Sequence, residues 1–593
     1  MNKKRVLLII LCLQIILCSN TIALASNNSV LPSGISYSEI GEEIEAYVKE
    51  HEKTTAGMAV SVFGGDGIIY ENYFGYGDIE NKLPVDKDTV IEWGSVTKLL
   101  VWVSLMQLWE DGKVDFNEDI NSYLPSGYLG KLKYDNPITI NNLFNHEAGF
   151  QDYLVGLFTL KDTNDKSLGE SLKEVQPPQI YPPGYATAYS NWSTSLGAHI
   201  VENVSQMSFS NYVHQNIFSP LDMNDTAVFT DLSDNKSVKE RRVLLKNYST
   251  KNDLLEGVAY NIELYPSGMA TSTLSDFRKF GTEFLQNERK ASKLFKNKET
   301  LDMMLTPTKY YGDTGIGLNY HGLWAHHFKV ETLGHGGNTA GSSSFFVFDP
   351  KSQVGVVVMT NQLSETKYNK DMLDLVFGKF EDSENSKLLE KPKYVLYEWT
   401  RTIEEGPYKF LKIMGYRPIG QGDVDKFWIR EIVDGQERIT QTHWALLKVP
   451  TGEGIFIIIT LLSFIIGVLY SAIILLKKFF LIFKEEKDNS KEKEISKLQP
   501  LISTLIIGVF VNIVFLVLQI YSFVPGEELK IHYIIFIALG ILLILLGLLL
   551  LIKTVGKDNV KKGKWKYYLT SYFAIISVVL IVNWNLYMFW AVK

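Results

Sequence analysis

Glu92-Trp93-Gly94-Ser95-Val96-Thr97-Lys98, continued by Leu99-Leu100-Val101-Trp102-Val103-Ser104-Leu105-Met106, is the stretch from which the rest of the chain can be read. A glycine precedes a serine, a lysine follows three residues on, and an apolar run extends to Leu108 before Asp111-Gly112 ends it. The spacing predicts one largely buried helix beginning near Ser95. Positions i and i+3 share a helix face, which brings the Ser95 hydroxyl and the Lys98 amine within hydrogen-bond reach. A helix N-terminus adds backbone N–H groups and positive potential where a negative oxygen must develop. The pattern suits a serine nucleophile activated by a lysine. Ser-x-x-Lys recurs at Ser233/Lys236, Ser364/Lys367 and Ser490/Lys493, but in polar, charged surroundings. Only Ser95 opens an apolar helix, where burial disfavours the Lys98 ammonium.

On either side of this stretch, residues 36–380 have the pattern of a mixed α/β domain. Ile40 to Val48 reads as an amphipathic helix, and Gly57 to Phe63 and Gly67 to Phe74 as a hairpin turning at Gly64-Gly65-Asp66-Gly67. Asn142 to His146 suggests a short helix ending at Gly149, and Ser342 to Phe348 and Val354 to Thr360 two strands around Asp349-Pro350-Lys351. Strands at both ends with helices between predict a sheet built from the termini and a helical insertion. Residues 386–450 read as a smaller β-rich juxtamembrane unit, with strands at Phe427 to Val433 and Gln441 to Val449, a turn at Asp434-Gly435, and no assignable chemistry.

At 593 residues the chain is too long for one ordinary domain. A net charge of −7 and the absence of a basic stripe outside the membrane flanks argue against a nucleic-acid partner. Both cysteines, Cys12 and Cys18, fall in the first segment, so neither a disulfide framework nor a thiolate metal site is expected. That segment reads as a signal peptide, residues 1–25: basic at Lys3-Lys4-Arg5, apolar from Val6 to Leu17, and closing on Ala23-Leu24-Ala25.

Residues 451–593 contain four apolar runs long enough to cross a bilayer: 454–476, 501–521, 531–552 and 567–590. Lysine is concentrated in the connections Lys477 to Lys497 and Lys553 to Lys566, whereas Ser522 to Lys530 is short and acidic. Positive-inside counting puts the lysine-rich connections in the cytoplasm and residues 26–450 outside, in agreement with the leader. No span carries an acidic or basic residue near its middle, which argues against ion or proton transport.

Two further stretches supply what a serine enzyme needs. Tyr181-Pro182-Pro183-Gly184 leads into Tyr189-Ser190-Asn191, ahead of a helix-like Leu196 to Val204. A tyrosine hydroxyl beside Ser95 and Lys98 can relay a proton, and the Asn191 amide can hold a substrate carbonyl. Then comes Leu333-Gly334-His335-Gly336-Gly337-Asn338-Thr339-Ala340-Gly341, whose glycines let a substrate backbone approach a strand edge. A backbone N–H after Gly337 completes an oxyanion hole with that of Ser95 on this reading. The competing reading is a metal role for His335 with His321, His326 and His327, although no known metal-ligand spacing accompanies them.

Taken in order, Ser95-x-x-Lys98, Tyr189-x-Asn191 and His335-x-Gly337 resemble the three motifs of the serine β-lactamase and penicillin-binding-protein superfamily. The branch resembled contains class C β-lactamases, D,D-carboxypeptidases, D-aminopeptidases and related esterases, the S12 peptidases. Supporting matches are Phe74-Gly75-Tyr76-Gly77, Ile138-Thr139-Ile140 through His146-Glu147-Ala148-Gly149, Tyr265-Pro266-Ser267-Gly268-Met269 with Ser272, and Asp349-Pro350.

The resemblance implies a β-lactamase/transpeptidase-like α/β fold with an antiparallel sheet flanked by helices. It also implies an acylated Ser95 and general-base work shared by Lys98 and Tyr189. Asn191, His335, Gly337 and Asn338 would be substrate-binding, with the N–H groups of Ser95 and Asn338 as the oxyanion hole. No cofactor or metal is expected. His335 stands where many relatives carry a lysine that attracts a substrate carboxylate. The expected protein is a membrane-anchored, extracytoplasmic serine hydrolase acting on a small peptide or cell-wall-related substrate with a D-residue. Esterase or β-lactamase-like action, and a catalytically silent sensor, are the alternatives. The spans leave a transporter or cell-envelope partner open.

Overall fold

The computed structural model describes residues 29–153, 155–159, 166–255, 260–285, 292–310, 315, 317–380, 395–419, 429–433, 436–440, 444–481, 492–555 and 564–592. The expected leader, the Asp434-Gly435 turn and the middle of each lysine-rich connection lie outside the described residues.

The central scaffold is a nine-stranded antiparallel sheet. Its strands are β1 (Gly57–Gly64), β2 (Gly67–Asp78), β3 (Leu83–Pro84), β4 (Lys309–Tyr310), β5 (Gly317–Tyr320), β6 (Leu323–His327), β7 (Glu331–Asn338), β8 (Ser343–Asp349) and β9 (Val354–Thr360). Their spatial order is β3-β2-β1-β9-β8-β7-β6-β5-β4. The expected hairpin is present, and β1 pairs with β9 from Met58↔Thr360 to Gly64↔Val354, so strands from the two ends of the domain share one sheet.

Alternation explains how both faces are covered. Met58, Val60 and Val62 of β1 and Val354, Val356 and Val358 of β9 face helix α1 (Ile40–Glu50), which contributes Ile40, Ile44 and Val48. Ala59, Phe63, Val357 and Met359 face the opposite core, which also holds α2 (Lys98–Glu110), α3 (Asn191–Ser205) and α4 (Leu274–Thr282). Helix α2 is buried nearly all round, as expected for a helix apolar on every side. It differs from expectation at its start. Ser95 lies in a 3₁₀ turn, Gly94–Thr97, and the α-helix begins at Lys98. A 3₁₀ turn has three residues per turn, so it aligns i with i+3 even more directly than an α-helix does.

Beyond residue 380 the chain forms a five-stranded antiparallel module: β10 (Val395–Trp399), β11 (Tyr416–Ile419), β12 (Ile429–Val433), β13 (Gln436–Thr440) and β14 (Ala445–Lys448). The order is β11-β10-β14-β13-β12. Of the strand expected over Gln441 to Val449 the described part is β14, Ala445–Lys448, and β13 ahead of it has no counterpart among the expected strands. In β13 only Ile439 is apolar and buried, too little for a periodic signal.

Among the described residues, four helices are long and apolar enough to cross a membrane: α5 (Thr451–Leu481), α6 (Glu492–Tyr521), α7 (Gly526–Val555) and α8 (Lys564–Asn583). The fourth stops short of the expected 590. Asn585 has φ +56°, outside the helical range, and donates its side-chain N–H to Gly406 O at 3.2 Å. Tyr533 of α7 likewise donates to Pro407 O at 2.9 Å, so the module rests on the helices.

Candidate active site

The turn carrying Ser95 is built from both sides. Trp93 is fully buried, stacks on Phe277 at 4.0 Å, donates through Nε1 to Ser272 Oγ at 2.8 Å and receives Ser344 Oγ on its carbonyl at 2.7 Å. Gly94 has φ +53°, and a Cβ there would meet Asn338 N at 2.7 Å. A Cβ on Gly337 would meet Trp93 O at 1.9 Å and Ser95 N at 3.0 Å. Glycine at both positions lets β7 lie against the turn, and this sets the backbones of Ser95 and Asn338 side by side. Thr339 pins the end of β7 by donating to Glu92 Oε2 at 2.6 Å. Glu92 is itself buried, held by Arg242 Nε at 2.8 Å and Tyr260 Oη at 2.5 Å.

Lys98 is fully buried. Its Nζ lies 3.1 Å from Ser95 Oγ, 2.8 Å from Asn191 Oδ1 and 2.5 Å from Ser267 O. Asn191 Nδ2 donates to Asp152 Oδ1 at 3.3 Å, which turns the amide oxygen towards Lys98. The carbonyl and the amide oxygen can only accept. An ammonium would donate to all three oxygens, whereas a neutral amine donates to the two acceptors and turns its lone pair to the Ser95 hydroxyl, so burial decides between the two forms. Burial pushes the Lys98 amine well below its usual range; the Arg401 cation adds to this and Asp152 opposes it.

Tyr189 lies immediately before α3, whose cap Ser190 accepts from Ser193 N at 3.1 Å. His146 places it: the His146 carbonyl receives Ala188 N at 2.8 Å, and the two rings are 4.4 Å apart. The Tyr189 hydroxyl is buried beside the Ser95 side chain. Burial raises its pKa, with Arg401 and the Ser95 hydroxyl acting in the other direction. Lys98 Nζ stands 4.9 Å from the centre of the Tyr189 ring.

Ser95, Lys98, Tyr189 and Asn191 therefore converge, with Gly337 and Asn338 alongside. His335 is fully buried, its ring 3.8 Å from that of Trp324. His321 sits between Phe116 and Phe144 and is held to a pKa of about 4 by burial; His326 meets Phe345 edge-on. Among the described residues no three His, Cys, Asp or Glu side chains converge on one point. Sequence reasoning missed Ser267 as a partner of Lys98, because the contact is a backbone carbonyl. It also missed Asp152 and Arg401, which carry no motif.

A mixed α/β fold with an antiparallel sheet, and a serine turn with a buried lysine packed against β7, defines the class. The Beta-lactamase family model matches residues 43–378, and the chain belongs to that family of serine hydrolases. It is 23 % identical over 338 residues to penicillin-binding protein 4* of Bacillus subtilis (strain 168), a match covering 54 % of this chain and 70 % of that protein. It is 27 % identical over 288 residues to the teichoic acid D-alanine hydrolase of Staphylococcus aureus, covering 46 % and 67 % respectively. Among solved structures, the D-amino acid amidase of Ochrobactrum anthropi SV3 is similar with a TM-score of 0.47 at 21 % identity, over 57 % of this chain and 97 % of that one.

Proposed function

We propose that the chain is a membrane-anchored hydrolase whose catalytic domain faces outward and which forms an acyl-enzyme on Ser95. Lys98 takes the Ser95 proton as Oγ attacks the substrate carbonyl carbon. The N–H groups of Ser95 and Asn338 hold the developing oxyanion, and the β7 edge from His335 to Asn338, including Gly337, flanks the substrate. Tyr189, kept as a phenol by burial, passes a proton to the leaving nitrogen or oxygen. Asn191 holds the substrate amide. Water then releases the acyl group. The observation carrying this reading is the fully buried Lys98 amine 3.1 Å from Ser95 Oγ, in a setting whose burial disfavours its ammonium form.

The substrate we favour is an amide or peptide with a D-residue at the scissile carbonyl. The alternative is a D-alanyl ester, supported by the likeness to the teichoic acid hydrolase. Both deliver a D-aminoacyl group to Ser95. Steady-state assays of the full-length chain in detergent on D-alanyl-D-alanine peptides, D-amino acid amides and a D-alanyl ester test the reading. It predicts turnover of at least one, abolished in Ser95→Ala. Equal rates in Ser95→Ala and wild type contradict it.

A further inference from the structure

The β10–β14 module reaches into the site. Thr400 Oγ1 and Ala445 N donate to Thr187 O at 2.5 and 3.1 Å, two residues before Tyr189. Arg438 donates to Tyr185 O, and the amides of Glu404 and Glu405 donate to Gln151 Oε1 at 3.0 and 3.1 Å. These contacts clamp the module onto both loops that flank Ser95, and between them they deliver Arg401. Its Nε donates to Asp152 Oδ2 at 2.6 Å, and its guanidinium carbon lies 4.7 Å from the centre of the Tyr189 ring. Asp152 is wholly buried and also receives the Asn191 backbone and side-chain N–H groups, both at 3.3 Å. One chain of contacts thus runs from Arg401 through Asp152 and Asn191 to Lys98 and Ser95.

We propose that Arg401 is a positioning residue of the Ser95 site: seated over Tyr189, it neutralises Asp152 and keeps the Asn191 amide and Lys98 amine aligned on the serine. The module then completes the site in cis. The inference rests on the hydrolase reading. Around Lys98 and Tyr189 the titratable groups are His146 and Asp152 on the loop before α3, Arg401 on the module, and, behind Thr187, the Lys309–Glu147 pair. Helix α3 contributes only the Asn191 amide, and the 265–267 turn only a carbonyl. Arg401 is the cation in contact with the Asp152 charge. Without it, that charge favours the Lys98 ammonium, and the base works only at higher pH.

The test is the rate of fluorophosphonate acylation against pH, with full-length wild type, Arg401→Gln, Arg401→Lys and the double variant Asp152→Asn, Arg401→Gln in detergent. In Arg401→Gln the acid limb should move up by about one pH unit, as loss of a nearby charge does. Arg401→Lys should return most of that shift. The double variant, with neither charge, should also return towards wild type, and it carries the test if Arg401→Gln does not fold. A limb unmoved in Arg401→Gln, or still displaced in the double variant, overturns the proposal. Absence of a wild-type adduct removes the hydrolase reading itself, and the proposal with it.

Discussion

Lys98 Nζ lies 3.1 Å from Ser95 Oγ with no water-exposed surface of its own, because Asn191 Oδ1 and Ser267 O occupy its other two sides. The 3₁₀ turn at Gly94–Thr97 sets the spacing of the pair, and burial pushes the amine towards its neutral form.

Lys98→Met should slow acylation of Ser95 by about 10²–10⁴-fold, the range for losing a general base. Its effect on stability should depend on pH with a definite sign. The folded-state pKa of Lys98 is depressed, so at neutral pH the unfolded chain binds a proton that the folded chain does not. That penalty grows as pH falls below the unfolded-state value and is absent above it. Thermal unfolding should therefore favour Lys98→Met over wild type more at pH 7 than at pH 10, by about 1.4 kcal/mol for each pH unit of depression. A difference independent of pH would mean that Lys98 is charged in the folded protein.

Tyr189→Phe should separate substrates by leaving group. The phenol supplies a proton to the departing atom, so amide hydrolysis should fall by about 10²-fold or more. Acylation by a fluorophosphonate, whose fluoride leaves without protonation, should fall much less. Equal losses on both would place Tyr189 in base work instead.

Gly337→Ala puts a Cβ 1.9 Å from Trp93 O and 3.0 Å from Ser95 N, where only backbone can give way. Overpacking of this kind costs about 1–3 kcal/mol. The displacement falls on the oxyanion side of Ser95, so the acylation rate should drop beyond what partial unfolding explains. Rate and melting temperature measured on one preparation check this.

Arg242→Leu leaves Glu92 buried with only Tyr260 and Thr339 as donors. Breaking a buried ion pair from one side costs about 3–5 kcal/mol. Thermal unfolding should show that loss, and the release of Thr339 should slow acylation as well.

Much of the scaffold is legible in the sequence because it depends on local pattern. The β1–β2 hairpin follows from alternation and a glycine-rich turn, and Ser95 with Lys98 from a three-residue spacing that holds in either helix type. Tyr189 and Asn191 need the fold to reach the lysine, and a motif order supplied it. Arg401 could not be found this way. It stands 249 positions from Asp152, in a module whose apolar pattern is weak, and no period links them. Asn585, too, ends α8 through a contact to Gly406, whereas hydropathy alone runs on to 590.

Membrane orientation is open to direct test, because the only cysteines are Cys12 and Cys18 in the expected leader. With Ser38→Cys or Ser490→Cys introduced singly, a membrane-impermeant maleimide applied to intact cells should label position 38 and spare position 490. The reverse pattern would put the catalytic domain inside.

Whether Ser95 is acylated is read most directly from the intact mass of the full-length chain after treatment with a fluorophosphonate and, separately, a penicillin, with Ser95→Ala alongside. An activated Ser95 gives a stable phosphonyl adduct on the wild type, mapped to Ser95 and absent from Ser95→Ala; a penicillin adduct at the same residue would narrow the chemistry to D,D-peptide-like acyl groups. A folded wild type that acquires no adduct from either reagent, or an adduct that persists in Ser95→Ala, would contradict an activated Ser95.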